Sequence, residues 1–567
     1  MGNGKDSFQG KVSFRGKRTF LGNGRWGTGG GRGFRAGRIL AFVTACVLMA
    51  CSLAGCGGEE GPAWRSKEVQ VLDDNYRTWY EVFVYSFCDS DGDRIGDLQG
   101  VISKLDYIAD MGFNGIWLMP IMPSPSYHKY DVTDYEEIDP LYGDMEDFDR
   151  LVEECDKRGI KLIIDLVLNH TSTEHPWFVE ACDYISGLGE KEPSAAECPY
   201  YEYYNFVKGD PSSPTWYKVG NTDYYYEGAF SSSMPDVNFG CEALKKEFEE
   251  IMSFWLNKGV GGFRLDAVKH FYGDMTGKNV EVLTWVNDYV KSIDPDAYMV
   301  GECWDGLPIY AQYYASGIDS FFNFEFADSS GVITKTLTYS GETNNAQAYA
   351  KALVRVQNAI REHREDAIDA PFFSNHDLAR GAGYMRYDER KVKMAATLNV
   401  LMSGSVFVYY GEEIGMTGSG KDENKRAPMF WSADSQAEGM TVGPADMEPQ
   451  ENRFASAEEQ MEAADSIYAF YKDTILLRNQ NPEIARGYVE RLTDITDGDI
   501  AAISKTYDGT TIYMIYNLSE TEEKVIKLPK EQYHYTEIAG YLSVDGGEVT
   551  LQDDTLTMPC YSVVVLR

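Results

Sequence analysis

The chain has 567 residues, 43% of them hydrophobic and 13% aromatic, enough for a sizeable core and for two to four domains. Its formal net charge is −37, even though the first 55 residues carry nine Lys/Arg and a single acid. A body this acidic repels phosphate backbones, which argues against nucleic acid as a partner. It suits a neutral substrate, a divalent cation or plain solubility.

The N-terminus reads as a targeting segment. Lys11, Arg15, Lys17, Arg18, Arg25, Arg32, Arg35 and Arg38 precede an apolar run from Ile39 to Ala50 that is short for a membrane span and suited to a signal sequence. Leu53-Ala54-Gly55-Cys56 resembles a bacterial lipobox, which implies cleavage before Cys56, a lipid on its thiol and an extracytoplasmic protein touching the membrane only through that lipid. Leu48-Met49-Ala50-Cys51 is a second candidate, and an ordinary signal peptide with secretion is the alternative. Residues 1–55 are thus expected as leader and 56–74 as a tether, polar and flexible at Gly57–Pro62. Seven further cysteines show no disulfide framework and no CxxC, although Cys182 and Cys198 could close a loop. HExxH is also missing, so neither structural zinc nor a zincin is indicated.

The body begins with a strand at Thr78–Phe87. Asp89-Ser90-Asp91-Gly92-Asp93-Arg94-Ile95-Gly96-Asp97 follows, whose alternating carboxylates suit a hard cation such as Ca²⁺, an acidic solvated turn being the alternative. Apolar spacing predicts a helix over Leu98–Met111, a second strand at Gly115–Pro120, a helix over Met145–Gly159 and a third strand at Lys161–His170. Residues 171–236 interrupt this alternation with Tyr, Gly, Ser and Pro and no long periodicity, and read as an inserted domain. The beat resumes with a helix from Cys241 to Lys258 and a strand at Gly262–His270. Further strands are expected at Ala297–Glu302, Ser320–Phe326, Ala370–Asp377 and Ser405–Glu413, with helices at Asn279–Ser292, Ala346–His363 and near Ala464–Arg478. Eight βα beats predict an α/β chain, a (β/α)8 (TIM) barrel formed by 75–170 and 237–480 with its insert after the third strand. Short alternating strands over 481–567 predict a C-terminal all-β sandwich.

Barrel enzymes place their chemistry at the C-terminal ends of the strands. Here Asp266, Glu302 and Asp377 end three strands, beside Arg264, His170 and His376. Two close carboxylates are what glycoside hydrolysis requires, one to protonate the leaving oxygen and one to attack or to activate water. Tyr127-His128-Lys129-Tyr130-Asp131, after the second strand, offers a ring face and an imidazole to a sugar.

Asp165–His170, Gly262–His270, Val300–Glu302 and Phe373–Asp377 resemble, in order, the four signature regions of the α-amylase family of glycoside hydrolases, and Met234–Asn238 resembles its fifth. That resemblance implies a barrel with an inserted B domain and a β-sandwich C domain. It implies Asp266 as nucleophile, Glu302 as general acid/base and Asp377 as the residue gripping the reacting sugar, with retention of configuration. Arg264 would hold Asp266 ionised and bond Asp165; Tyr130, His128, His170 and His376 would line the attacked sugar; Lys269 and His270 would serve the leaving-group side. Asp89, Asp91, Asp93, Ile95 through its carbonyl, and Asp97 match one cation site of the family. Asn169 with the His270 carbonyl matches another, whose B-domain ligand has no evident counterpart. Ala267 after the nucleophile goes with α-1,4 bonds, which implies an endo-acting, monomeric α-amylase on starch, glycogen or maltodextrins. Oligo-1,6-glucosidase and 4-α-glucanotransferase are the rivals, and a non-catalytic glucan-binding protein is the alternative outside enzymes.

Overall fold

The computed structural model describes residues 62–69, 71–338 and 345–567. The basic leader, the apolar run and Cys56 lie outside the described residues. Among those described, no helix is long and apolar enough to cross a membrane.

Eight parallel strands make the barrel: Thr78–Val82, Gly115–Leu118, Lys161–Leu166, Gly262–Leu265, Tyr298–Gly301, Ser320–Asn323, Ala370–Pro371 and Val406–Tyr409. They pair in that order, the first also pairs with the eighth, and a parallel bridge from Phe372 to Phe407 joins the seventh to the eighth. Seven of the eight are buried throughout, as expected for parallel strands covered on both faces, and explain why they read as apolar runs. The interior is filled by aromatic rings: Trp79 stacks on Tyr298 and Phe407 with centroids 5.0 and 5.7 Å away, and Trp117 packs against Phe322. Gly262 opens the fourth strand at φ 136°, where a Cβ would lie 1.8 Å from the Tyr298 carbonyl, so the close approach of fourth and fifth strands requires glycine.

Three elements depart from expectation. The predicted helix over 98–111 divides at Lys104 into Leu98–Ser103 and Leu105–Asp110, and the Lys104 ammonium sits 4.3 Å from the Trp431 ring centroid. The seventh strand keeps only two residues. Pro371 has no N–H for the ladder, and Asn375 Oδ1 accepts from the backbone of Asp377 and Leu378, turning the chain out of the sheet. Between third and fourth strands the chain forms a helix at Pro176–Gly187, not expected there, with His175 accepting from Trp177 N and Pro176 in the first turn. Three short antiparallel strands follow, Tyr224–Glu227 lying between Phe206–Lys208 and Trp216–Lys218. Cys182 and Cys198 in this region are separate thiols.

Beyond the helix Ile467–Gln480 stand a five-stranded and a three-stranded antiparallel sheet, with Ile500, Ile515, Leu556, Met558 and Val564 buried in one cluster. The expected tether is not free along its length. Ala63–Ser66 form a 3-10 turn, Trp64 is buried against Gly540, Gln480 Nε2 donates to its carbonyl, and Arg65 pairs with Asp473. A buried indole outweighs the polar composition around it.

Candidate active site

The fourth strand fixes the centre of the site. Arg264 and Asp266 are two residues apart and share a face, and the Arg264 guanidinium is wholly buried between the strand ends. Its Nη1 lies 2.8 Å from Asp165 Oδ1 and 2.5 Å from Asp266 Oδ1, and its Nη2 lies 2.8 Å from Glu302 Oε2. One guanidinium thus contacts the carboxylates ending the third, fourth and fifth strands, and the Trp117 ring lies 5.2 Å from its carbon. Burial alone would pull the Arg264 pKa down. Asp165, Tyr130, Glu302 and Asp266 outweigh it and hold the group firmly cationic.

Glu302 is 7% exposed. Burial pushes its carboxyl up to about 7; Arg264 opposes, and Asp266 and Asp377 add to the rise. Ala267 adopts φ 48°, an unusual left-handed turn for a residue with a side chain, and its N–H points at Glu302 Oε2, 3.2 Å away.

Asp377 lies across the mouth. His376 Nε2 stands 3.0 Å from its Oδ2 and Arg426 Nη2 stands 2.9 Å from its Oδ1. Although burial acts in the opposite direction, His376 and Arg426 hold its carboxyl well below the usual carboxylate range. Tyr130 is stacked on His376 at 5.7 Å, donates to Asp165 Oδ2 at 3.1 Å and faces His376 Nε2 at 2.9 Å. His128 lies beside Tyr130 and Tyr127, its Nδ1 accepting from Tyr130 N, and burial pushes it down to about 4. Burial likewise lowers His170, whose Nε2 is buried without a protein partner. The partly exposed Phe230 ring, from the inserted segment, bridges His170 and His270 at 5.3 and 4.8 Å. Lys269 is paired with Asp305 at 2.7 Å.

The residues expected to carry the chemistry therefore converge. Those expected to hold metal do so in part. Asp89, Asp91 and Asp97 place oxygens within 4.8 Å of one another, a hard-oxygen set of the kind Ca²⁺ takes. Asp93 is not in that group; its Oδ1 instead accepts from Ile95 N at 2.7 Å. Asn169 donates to Asp236 Oδ1 at 3.1 Å, while its own Oδ1 is buried without a hydrogen-bond partner.

The family described as "Alpha amylase, catalytic domain" matches residues 81–487. The chain belongs to the α-amylase family. It is a glycoside hydrolase, 39% identical to Alpha-amylase 3 of Dictyoglomus thermophilum over 448 residues, 78% of this chain and 85% of that protein. It is 28% identical to the oligo-1,6-glucosidase of Bacillus cereus across 86% of this chain and 98% of that one. Among solved structures, Eubacterium rectale Amy13B superposes with a TM-score of 0.85 at 47% identity, over 89% of this chain and 97% of its own. The α-amylase from H. orenii superposes with a TM-score of 0.74 at 34% identity, over 87% of this chain and 99% of its own.

Two residues of this site were not singled out from sequence. Arg426, just after a four-residue helix, contacts Asp377 and donates to Tyr127 Oη at 3.0 Å. Glu81, in the middle of the first strand, lies 2.6 Å from His376 Nδ1. Its signal was one acid within Trp79-Tyr80-Glu81-Val82-Phe83, at a position the barrel buries to 1% exposure.

Proposed function

We propose that the chain hydrolyses α-1,4-glucosidic bonds in starch, glycogen or maltodextrins, within the chain and with retention of configuration. The observation carrying this reading is the single Arg264 guanidinium shared by Asp266 and Glu302. It orients Asp266 as nucleophile, while Glu302, its carboxyl pushed up to about 7 by burial, keeps the proton the leaving oxygen needs. Asp266 attacks the anomeric carbon as Glu302 protonates the departing oxygen. Glu302, now a base, takes a proton from the water that releases the sugar. Asp377 receives the hydroxyls of the attacked sugar, with Arg426 and His376 holding it ionised, and the partnerless His170 Nε2 supplies a further polar contact. Tyr130 and His128 wall this sugar, and Lys269 with His270 face the leaving side.

The names of the relatives support the α-1,4 reading, with oligo-1,6-glucosidases among them as the second reading. Product analysis on amylose, pullulan and isomaltose separates the two: short maltodextrins from amylose and untouched isomaltose support the first, glucose from isomaltose the second, and chain disproportionation a glucanotransferase. Asp266→Asn should lower amylose hydrolysis by at least ~10³-fold; an undiminished rate would end the assignment. The Asp89, Asp91 and Asp97 oxygens support a structural Ca²⁺, with Asn169 Oδ1 as part of a second site. Lipidation of Cys56 would place the enzyme on the outer membrane-facing surface, where α-glucans too large to import are met; mass spectrometry of the mature N-terminus tests it.

A further inference from the structure

Glu81 lies beneath the barrel mouth, and this reaction leaves it without a role. A carboxylate sealed into a barrel wall costs several kcal/mol unless it is partnered. Its Oε1 lies 2.6 Å from His376 Nδ1 and 3.4 Å from His376 N, which ties the first strand to the loop after the seventh. The other ring nitrogen of His376 faces Asp377 Oδ2 at 3.0 Å and Tyr130 Oη at 2.9 Å. The Tyr130 proton is directed to Asp165, so its oxygen has lone pairs left for His376 and for Arg264 Nη1 at 3.4 Å. An ionised carboxylate can only accept. Each imidazole nitrogen faces a carboxylate oxygen, and a hydrogen on both nitrogens satisfies both contacts, whereas a neutral ring would set a lone pair against one of them at hydrogen-bonding distance.

We propose that Glu81 is a positioning residue that holds His376 as an imidazolium through the working pH range, so that His376 presents a charged N–H to Asp377, which receives the attacked sugar. This rests on the hydrolase reading for its link to rate, but not for the state of His376. The charged groups around the ring are Glu81 on the first strand, Asp165 on the third, Glu302 on the fifth and Asp377 beside it, with Arg426 beyond Asp377, the Tyr130 hydroxyl in contact, and Arg264 and Asp266 of the fourth strand behind Tyr130. Trp117 closes the ring's edge at 5.6 Å. Burial by itself would lower His376, but Asp377 and Glu81 raise it to about 9. With a neutral amide in place of Glu81, Nδ1 still donates to an acceptor, but the charge that kept the second proton is gone.

The test is the pH profile of kcat/KM for Glu81→Gln, with circular dichroism to establish folding. Wild type should lose activity on the alkaline side with a slope of one proton, set by Glu302. In Glu81→Gln a second group enters the same limb, giving a slope approaching two, with a loss of at most ~10-fold at pH 5.5 growing by a further ~10-fold or more at pH 8. A uniform loss with unchanged shape would make Glu81 merely structural and overturn the proposal. Should that variant not fold, the ring can be read directly in wild type and in Asp266→Asn carrying ¹³C-histidine, of which there are seven residues. One resonance should keep imidazolium shifts at pH 8 and move when maltotriose binds Asp266→Asn. If all seven are neutral by pH 7.5, the proposal fails even where the hydrolase assignment stands; if Asp266→Asn hydrolyses amylose normally, that assignment fails while the resonance still reports on His376.

Discussion

Glu302→Gln should stabilise the fold, and do so more at high pH. Glu302 is nearly sealed, and its folded pKa of about 7 exceeds the 4.5 of a free glutamate. The sign follows from linkage: the folded state binds the proton more tightly than the unfolded chain, so the contribution is whole below pH 4.5 and is lost as pH rises to 7. Each pKa unit is about 1.4 kcal/mol, so wild type at pH 8 is roughly 3 kcal/mol less stable than with a permanently neutral side chain, and at pH 5 less than about 1 kcal/mol so. Glutamine supplies that neutral group in nearly the same volume and still accepts from Ala267 N and Arg264. Chemical denaturation at pH 5 and pH 8 should therefore show the variant gaining roughly 2–3 kcal/mol on wild type between the two, while amylose hydrolysis falls by ~10³-fold or more. An equal gain at both pH values, or a loss at pH 8, would mean that Glu302 is ionised in the folded protein and that its role as acid needs another source of protons.

Lys505 of the C-terminal sheet is buried among carbonyls, donating to Leu401 O at 2.9 Å and Ile484 O at 2.6 Å, and burial with Arg478 nearby holds it well below its usual pKa. Lys505→Met should cost about 1–3 kcal/mol, and because the unfolded chain binds the proton more tightly, wild type should pull further ahead as pH rises toward 10.5; a gap that narrows from pH 7 to 9.5 would contradict this. Chelation with EDTA should lower Tm, Ca²⁺ should restore it, and Asp91→Ala should blunt the response; a Tm indifferent to both would exclude a cation held by Asp89, Asp91 and Asp97. Ala267→Val places a β-branched side chain at φ 48°, costing about 1–2 kcal/mol, and should reduce kcat about tenfold more than it changes KM, since the backbone N–H that this strain displaces faces Glu302 rather than sugar. A change confined to KM would point to steric exclusion instead.

What the sequence made legible was local and repetitive. Eight apolar runs ending in polar residues define the barrel and the level at which Asp266, Glu302 and Asp377 sit, because strand ends on one face of a barrel must meet. The helix at Pro176–Gly187 went unread, although proline in a first helical turn after a residue able to cap was a usable signal. Its apolar residues Phe178, Ala181 and Ile185 were masked by the tyrosine-rich segment beyond them. The seventh strand was overread because an apolar run carries no mark of where its ladder ends; Pro371 was that mark.

Glu81 is a harder case, and it shows where reading from sequence stops. A lone acid in a strand ordinarily reads as solvent-facing, and no neighbour of Glu81 in sequence says otherwise. Its partner is 295 residues away, and the two meet because the first strand pairs with the eighth and Phe372 bridges to Phe407, which closes the cylinder. The acid's meaning is therefore a property of closure rather than of its own strand. Arg426 obeys the same logic, reaching Asp377 across 49 residues from a segment that holds only a four-residue helix. Strand-end acids can be found by pattern because the fold places them in equivalent positions. The groups that set their protonation come from irregular places, and each is recognisable only by the charge that it faces.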